Sequence, residues 1–461
     1  MSRVAVINVV GLTRRHLGAA TPQISGWLRR KQAVPIEPLL PAVTCPMQSA
    51  FLTGLPPAKS GIVGNGWYDR TLDEVHFWKQ SNHLVSGAKL WEKIRLEHPD
   101  FTTAKIFWWY NMYSSAEFSI TPRPIYRADG SKIFDIYTHP PSVRAEIKAA
   151  LGEFPFPQFW GPMAGPASTR WIAGSAKWIE EKFWPNLSLV YLPHLDYDFQ
   201  RFGPDSAQAA KALQEIDEVV GDLIGFFKHR AVKPVIVSEY GITAVDHPVH
   251  INRVFRENGW IALRDEMGTE VFDPGASRVF AVADHQVAHI YVKDRALLPE
   301  VKEVLGVTEG VEQILDGMWR SLAELEHVRA GDLIAVADAR SWFTYYWWLD
   351  DERAPDYART VDIHRKPGYD PAELFFDPAI KKLKRTLGLR LLRKKLGFRV
   401  LMDVIPLDAT LVRGSHGRIP EDSLDWPILA GDFPGLDGTV KISAIQVHQE
   451  LLGAIRRGIA S

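Results

Sequence analysis

Three short runs of β-branched and aliphatic residues constrain the sheet this chain can build: RVAVINVV at 3–10, LSLVYL at 187–192 and VKPVIV at 232–237. None alternates strictly between apolar and polar side chains. Such a strand is covered on both faces, the condition of a parallel sheet flanked by helices. Residues 205–228, between the second run and the third, have helical spacing. Strands alternating with helices predict a doubly wound α/β sheet, and 461 residues are ample for one large core or two domains.

Chemistry in such sheets gathers at the carboxyl ends of the strands. His194 to Asp198 follow the second run directly, and Ser238-Glu239-Tyr240 follow the third. The run PLLPAVTCPMQSAFLTGL at 38–55 predicts a strand ending near Val43 and a helix opening at Thr44-Cys45-Pro46. Thr is a good N-cap, and Pro is tolerated in a first helical turn.

A net charge of −1 gives no global field to draw nucleic acid or a membrane. The single cysteine, Cys45, rules out a disulfide within the chain and fits a reducing cytosol. MSRVAVINVVGL does not read as a signal peptide. No stretch approaches the roughly 20 apolar residues of a membrane span. The expectation is a cytoplasmic protein without a nucleic-acid partner or stable membrane insertion.

Aromatic residues cluster at FWWYNMY (107–113) and WFTYYWW (342–348), where they build core or line a pocket. Residues 251–400 hold a strand-like HIYV at 289–292 and a helical-looking VEQILDGMWRSLAEL at 311–325. The basic segment 381–399 reads as a solvated amphipathic helix pair broken at Gly388. Contact with an anionic lipid surface or substrate is the competing reading.

Four elements in order carry a resemblance. They are PAVTCPMQSAFLTGLPPAKSGIVGNGWYD (41–69), VYLPHLDYDFQRFGP (190–204), VSEYGIT (237–243) and RGSHGR (413–418). In the first, Thr44, Pro46, Thr53-Gly54, Gly61-Ile62 and Asn65 match. Together they resemble the nucleotide pyrophosphatase/phosphodiesterase branch of the alkaline phosphatase superfamily, across nearly the whole chain. The resemblance implies an α/β/α three-layer sandwich with a mostly parallel central sheet and an inserted cap. Residues 1–250 and 401–461 would form the core, and 251–400 the cap.

That family binds two zinc ions and attacks phosphorus with a Thr alkoxide. The resemblance makes Thr44 the nucleophile and puts Asp196, Gln200, Glu239, Tyr240 and His416 at metal-ligand positions. Asp196 and His416 match the family's residue types, and Glu239 is a conservative change. Val10 stands where an Asp is expected, Met47 where an Asn holds a phosphoryl oxygen, Gln200 and Tyr240 where His is expected. A free alcohol is a poor nucleophile at neutral pH unless a metal or base activates it, so these departures bear directly on catalysis.

The remaining ligand candidates are Asp196, Gln200, Glu239 and His416, an oxygen-rich set that favours Mg, Mn or Ca over Zn. The sequence leaves open one divalent ion rather than two, or no ion. Asn8 could reach inward as a weak neutral ligand. His194, Asp196 and Asp198 would share one side of an extended segment, where His194 could activate Thr44. Asn65, Trp67, Asp198 and Tyr240 are the candidates for holding substrate.

DHPVH (246–250) and ADHQVAH (283–289) read as satisfied histidines, and Arg365 and Lys366 as a possible grip on an anion. The stretch Thr44 to Gln48 lacks the Arg of the sulfatase motif and displaces its Cys by one, which argues against a sulfatase. The leading function is hydrolysis of a phosphoester, pyrophosphate or phosphonate of a small metabolite. The alternatives are an inactive relative that binds a phosphorylated ligand or partner, and metal-free chemistry on the same scaffold.

Overall fold

A computed structural model describes residues 3–460 except 30 and 437. The central strands are β1 (Arg3–Val9), β2 (Gln32–Glu37), β3 (Thr103–Ile106), β4 (Phe118–Pro122), β5 (Ile136–His139), β6 (Leu187–Leu192) and β7 (Val232–Val237). Four strands of the 251–400 interval follow: β8 (Val279–Asp284), β9 (Val287–Val292), β10 (Val311–Leu315) and β11 (Leu333–Ala337). β12 (Ile428–Gly431) and β13 (Ile442–Ser443) return to the central sheet.

The nine-stranded order is β13-β2-β12-β7-β1-β6-β3-β4-β5. β7, β1, β6, β3 and β4 run parallel side by side. β12 and β5 pair antiparallel to this block. The three apolar runs that fix the sheet class are therefore adjacent, with β1 between the other two.

The helices used below are α1 (Thr44–Thr53), α2 (Leu90–Glu97), α3 (Pro166–Phe183), α4 (His194–Phe202), α5 (Ala207–His229), α6 (Leu383–Lys395) and α7 (Ala444–Ala460). Successive side chains of a strand point to opposite faces, and β1 shows it. Val4 and Val6 pack with Phe51 of α1, Trp91 of α2 and Leu451 of α7. Ala5, Ile7 and Val9 pack with Ile172 of α3 and Ile216 of α5. Both faces are dry, so the sheet is the middle of three layers.

β8, β9, β11 and β10 form a separate antiparallel sheet in that order. The chain then returns at Gly414-Ser415, which pairs with Thr243-Ala244, and Gly417 bridges Ala42. That return sets His416 beside the start of α1. Among the described residues no helix is long and apolar enough to cross a membrane.

Four local expectations are corrected. The strand before Thr44 ends at Glu37, not near Val43. The stretch 311–325 is not one helix: β10 takes Val311–Leu315 by pairing with β11, and a short helix follows at Gly317–Leu322. Gly388 does not break the basic segment. It lies inside α6 with nothing within 4 Å of where a Cβ would sit, an exposed position where glycine weakens a helix without ending it. The turn comes at Gly397, whose φ of +89° disfavours other residues. Finally, residues 194–202 are helical rather than extended, which changes the site.

Candidate active site

Thr44 is the first residue of α1, and Val43 takes the cap position without a side-chain bond. The Thr44 hydroxyl is thus left for other partners. Ala42 fixes the approach: its N–H donates to Gly417 O at 2.8 Å, and its carbonyl accepts from His416 Nδ1 at 2.8 Å. A carbonyl only accepts, so the proton of His416 is on Nδ1. Its Nε2 is a buried lone pair without a partner.

The end of β7 supplies the opposite wall. Ser238 Oγ donates to Leu12 O at 2.5 Å and accepts from Ile428 N at 2.7 Å, which clamps the turn. Glu239 and Tyr240 are thereby fixed and fully buried. Glu239 Oε1 accepts from Asn8 and, at 2.5 Å, from Gln48 Nε2. Gln48 Oε1 accepts in turn from Trp109 N at 2.7 Å. Burial pushes the Glu239 carboxyl up to about 8, with bonds from Gln48, Asn8 and Thr44 opposing the shift.

Tyr240 connects the two sides. Its Oη lies 3.2 Å from Thr44 Oγ1 and donates to Asp196 Oδ1 at 3.3 Å. Burial, reinforced by the charge of Asp196, holds the phenol well above its usual range, so it stays protonated. Asp196 itself is pushed up to about 7 by burial, against bonds from Gln200 and Tyr240. His416 Nε2 stands 3.8 Å from Asp196 Oδ1.

Four rings lie in contact in a column across the site, the middle pair tilted by 38°. Tyr240 lies on His416 at 3.6 Å, His416 on His285 at 3.7 Å, and His285 on Tyr369 at 3.6 Å. His285 Nδ1 donates to Asp284 Oδ1 at 2.9 Å, and its Nε2 is a second buried nitrogen without a partner. Burial drives both imidazoles well below the ordinary histidine range, so both are neutral.

Thr44, Asp196, Tyr240, His285 and Tyr369 line a cavity of about 390 Å³. Trp78, Trp109, Phe159 and Trp160 form its walls. Lys79, Arg123, Lys132 and Arg365 reach it from more exposed positions and give it a cationic rim. Behind the rim, Lys366 is buried between Asp370 at 2.7 Å and Glu373 at 2.9 Å. Lys366 therefore pins the 361–370 segment rather than gripping a ligand.

The structure brings together Thr44, Asp196, Gln200, Glu239, Tyr240 and His416. It turns three other candidates away. A helical turn of 3.6 residues puts His194 and Asp196 on opposite faces of α4, and His194 Nε2 meets Glu215 of α5 at 2.9 Å. Asp198 is held by Arg201 at 2.9 Å. Trp67 lies under Arg329 at 4.7 Å and does not line the cavity. Asn65 stands one layer behind: its Oδ1 accepts from Cys45 N at 3.0 Å while its own N–H groups donate to Asp284. The Asp284-His285 pair was read as satisfied histidine sequence, yet it forms one side of the site. In the structure Asp284 to Val287 is the tip of a hairpin and His285 has φ +61°; no spacing in the sequence marks it.

These residues do not fit the two-metal centre that the resemblance implies. Val10 is fully buried and apolar. Glu239 is occupied by Asn8 and Gln48, and Gln200 by Tyr369 Oη at 3.1 Å. Asp196 and His416 remain as a pair, with the Tyr240 ring against the imidazole. Among the described residues, no group of three or more His, Cys, Asp and Glu side chains is arranged to hold an ion.

Residues 4–370 match the family model of type I phosphodiesterase/nucleotide pyrophosphatase, and the chain belongs to that family. It is 25% identical over 278 residues to an uncharacterized pyrophosphatase/phosphodiesterase of Schizosaccharomyces pombe, covering 56% of this chain and 50% of that protein. It is 27% identical over 218 residues to ectonucleotide pyrophosphatase/phosphodiesterase family member 1 of Homo sapiens, covering 45% of this chain and 19% of that protein. The chain thus spans half or less of the length of these curated relatives.

Solved structures share the fold over nearly the whole chain. Murine ectonucleotide pyrophosphatase/phosphodiesterase 5, inactive and in complex with AMP, has a TM-score of 0.58 at 13% identity, covering 99% of this chain and 95% of that one. Phosphonoacetate hydrolase from Sinorhizobium meliloti, in complex with phosphonoacetate, has a TM-score of 0.62 at 13% identity, covering 98% and 96%. Both are similar α/β folds of the alkaline phosphatase type.

Proposed function

We propose that this chain cleaves a phosphoester, pyrophosphate or phosphonate bond in a small metabolite, with Thr44 as the nucleophile and a proton relay in place of a metal-activated alkoxide. The observation that carries the reading is the chain of contacts from Thr44 Oγ1 through Tyr240 Oη to Asp196 Oδ1 at the floor of the cavity. Thr44 attacks phosphorus and gives its proton to Tyr240, which passes its own to the Asp196 carboxylate. The bond from phosphorus to the leaving group breaks, and the leaving group departs with a proton returned from Asp196. Water then hydrolyses the Thr44 phosphoryl ester and restores the hydroxyl. An Asp near 7 suits a base at neutral pH, and Glu239 near 8 is mostly protonated there and can donate to a phosphoryl oxygen. The cationic rim draws an anionic substrate in, and the aromatic walls pack its organic part. Family membership supports the reaction class, and the cytosol is the setting that the single cysteine favours.

The test is turnover of a chromogenic phosphodiester, a nucleoside pyrophosphate and phosphonoacetate by wild type, Thr44→Ala and Thr44→Ser. The reading expects Thr44→Ala to lose turnover and Thr44→Ser to keep part of it, with a phosphorylated peptide containing residue 44 trapped by acid quench. Full activity of Thr44→Ala would end it. One observation favours a second reading, a family member that binds without turnover: the Tyr240 ring covers His416 where the resemblance calls for an open ligand. Calorimetric binding of a phosphorylated ligand without any turnover is its signature.

A further inference from the structure

We infer that α6 and the neighbouring hairpin of residues 125–133 form a surface that docks on an anionic lipid bilayer. Residues 381–399 hold nine Lys and Arg and no Asp or Glu, in a chain whose net charge is −1. Among these nine and the described residues, Arg390 is the one held in an ion pair, with Asp403 at 2.7 Å. Of the others, Arg399 donates to a backbone carbonyl and the rest stand in no ion pair, concentrated on one short segment.

Apolar side chains stand among these cations. Leu389, Leu391, Leu392, Leu396 and Phe398 are each more than half exposed. α6 is not loosely placed: Leu387 on its inner side packs against Ala372, Val404 and Ile405. On the side away from Leu387, Leu389, Leu392 and Leu396 face outward, with Leu391 exposed nearer the inner edge. The same pattern continues on and just after the hairpin, where Tyr126 and Phe134 are exposed beside Lys132. Arg399 joins the two by donating to Asp129 O at 3.0 Å. Tyr126 and Lys132 also line the cavity, so the surface runs up to its mouth.

Charge complementarity selects the occupant. A nucleic acid would neutralise the cations and leave the leucines in water. At an anionic membrane surface, leucine and phenylalanine enter the boundary between headgroups and chains, while Lys and Arg extend toward the phosphates. The Leu and Lys/Arg mixture lacks the continuous apolar length of a span, so this is docking and not insertion.

The experiment is co-sedimentation of the full chain with phosphatidylcholine vesicles, with and without about 30 mol % phosphatidylserine. Wild type should partition at least about tenfold more onto the anionic vesicles. Two variants, Leu392→Ser with Phe398→Ser and Arg393→Gln with Lys394→Gln and Lys395→Gln, should each lose most of that partition. Both change exposed positions, so thermal midpoints should hold. Equal partition onto neutral and anionic vesicles overturns the inference. So does a variant with both apolar residues changed that binds like wild type, since that would be plain polycation attraction. Thr44→Ala should bind as wild type does, which keeps this result separate from the catalytic reading.

Discussion

The Tyr240 ring lies flat on the His416 imidazole, with centroids 3.6 Å apart and planes 7° from parallel. The contact fixes the phenol oxygen between Thr44 and Asp196 and sets a ring against the one family-type imidazole in the site. Tyr240→Phe separates these two effects, because it keeps the stack and removes the relay. Loss of a positioned proton-transfer group costs about 10²-fold in rate. We expect kcat to fall by about that factor with KM and the thermal midpoint nearly unchanged. Steady-state kinetics on the best substrate checks it, and an unchanged kcat would remove Tyr240 from the mechanism.

The metal question has its own test, because the missing ligands can be put back. Val10→Asp, Gln200→His and Tyr240→His together restore the donor types that the family pattern requires. We expect wild type to purify with well under one equivalent of Zn, Mn, Mg or Ca by elemental mass spectrometry, and the triple variant to take up Zn. Without metal the variant buries an extra carboxylate and should melt lower. Added Zn should recover part of the loss, since a ligand that binds only the folded state stabilises it. A wild type holding a stoichiometric ion that Asp196→Ala releases would show that the site closes around metal in a way the present contacts do not show.

How far the sequence reaches is clearest at these positions. β1, β6 and β7 were legible because a strand covered on both faces must be apolar throughout, and Thr44, Glu239 and His416 were legible because matching motifs set them at element ends. α4 was misread because a run of alternating polar residues after a strand suits either an extended segment or a helix, and only packing against α5 decides. His285 was passed over because its role depends on a return of the chain: Gly417 must pair with Ala42 before the His416 ring can meet it. No spacing within one segment encodes that meeting. The basic segment was legible as solvent-exposed and helical, but whether Gly388 breaks it depends on exposure, which the sequence does not state.

His194 now carries a structural expectation. Its Nε2 meets Glu215 Oε2 at 2.9 Å and it is almost fully buried, joining α4 to α5. His194→Ala should cost about 1–3 kcal/mol through the lost bond and the space left behind. Because the ring faces away from Thr44, kcat/KM at a temperature where the variant is folded should match wild type. Urea unfolding and kinetics on the same preparation check both halves. A fall in kcat with stability intact would return His194 to the catalytic set.

Lys105 of β3 links stability to the cavity wall. Its ammonium is fully buried, donates to Trp109 O at 3.1 Å and Tyr110 O at 2.8 Å, and lies over the Trp91 ring. Burial, helped by the charge of Lys89, lowers it to about 7, while an unfolded lysine titrates near 10.4. Between those values the unfolded chain binds the proton and the folded chain does not. Stability should therefore rise with pH across that window, by about 1.4 kcal/mol per unit at most, and gain nothing from this group below it. Lys105→Met removes the titration, so its stability relative to wild type should be greatest near neutrality and decline toward about pH 10. The variant also frees the carbonyls that hold Trp109, whose N–H steadies Gln48 and through it Glu239, so KM should rise. Urea midpoints at about pH 6.5, 8 and 9.5 decide the matter: parallel profiles for the two proteins would mean that Lys105 stays charged in the fold.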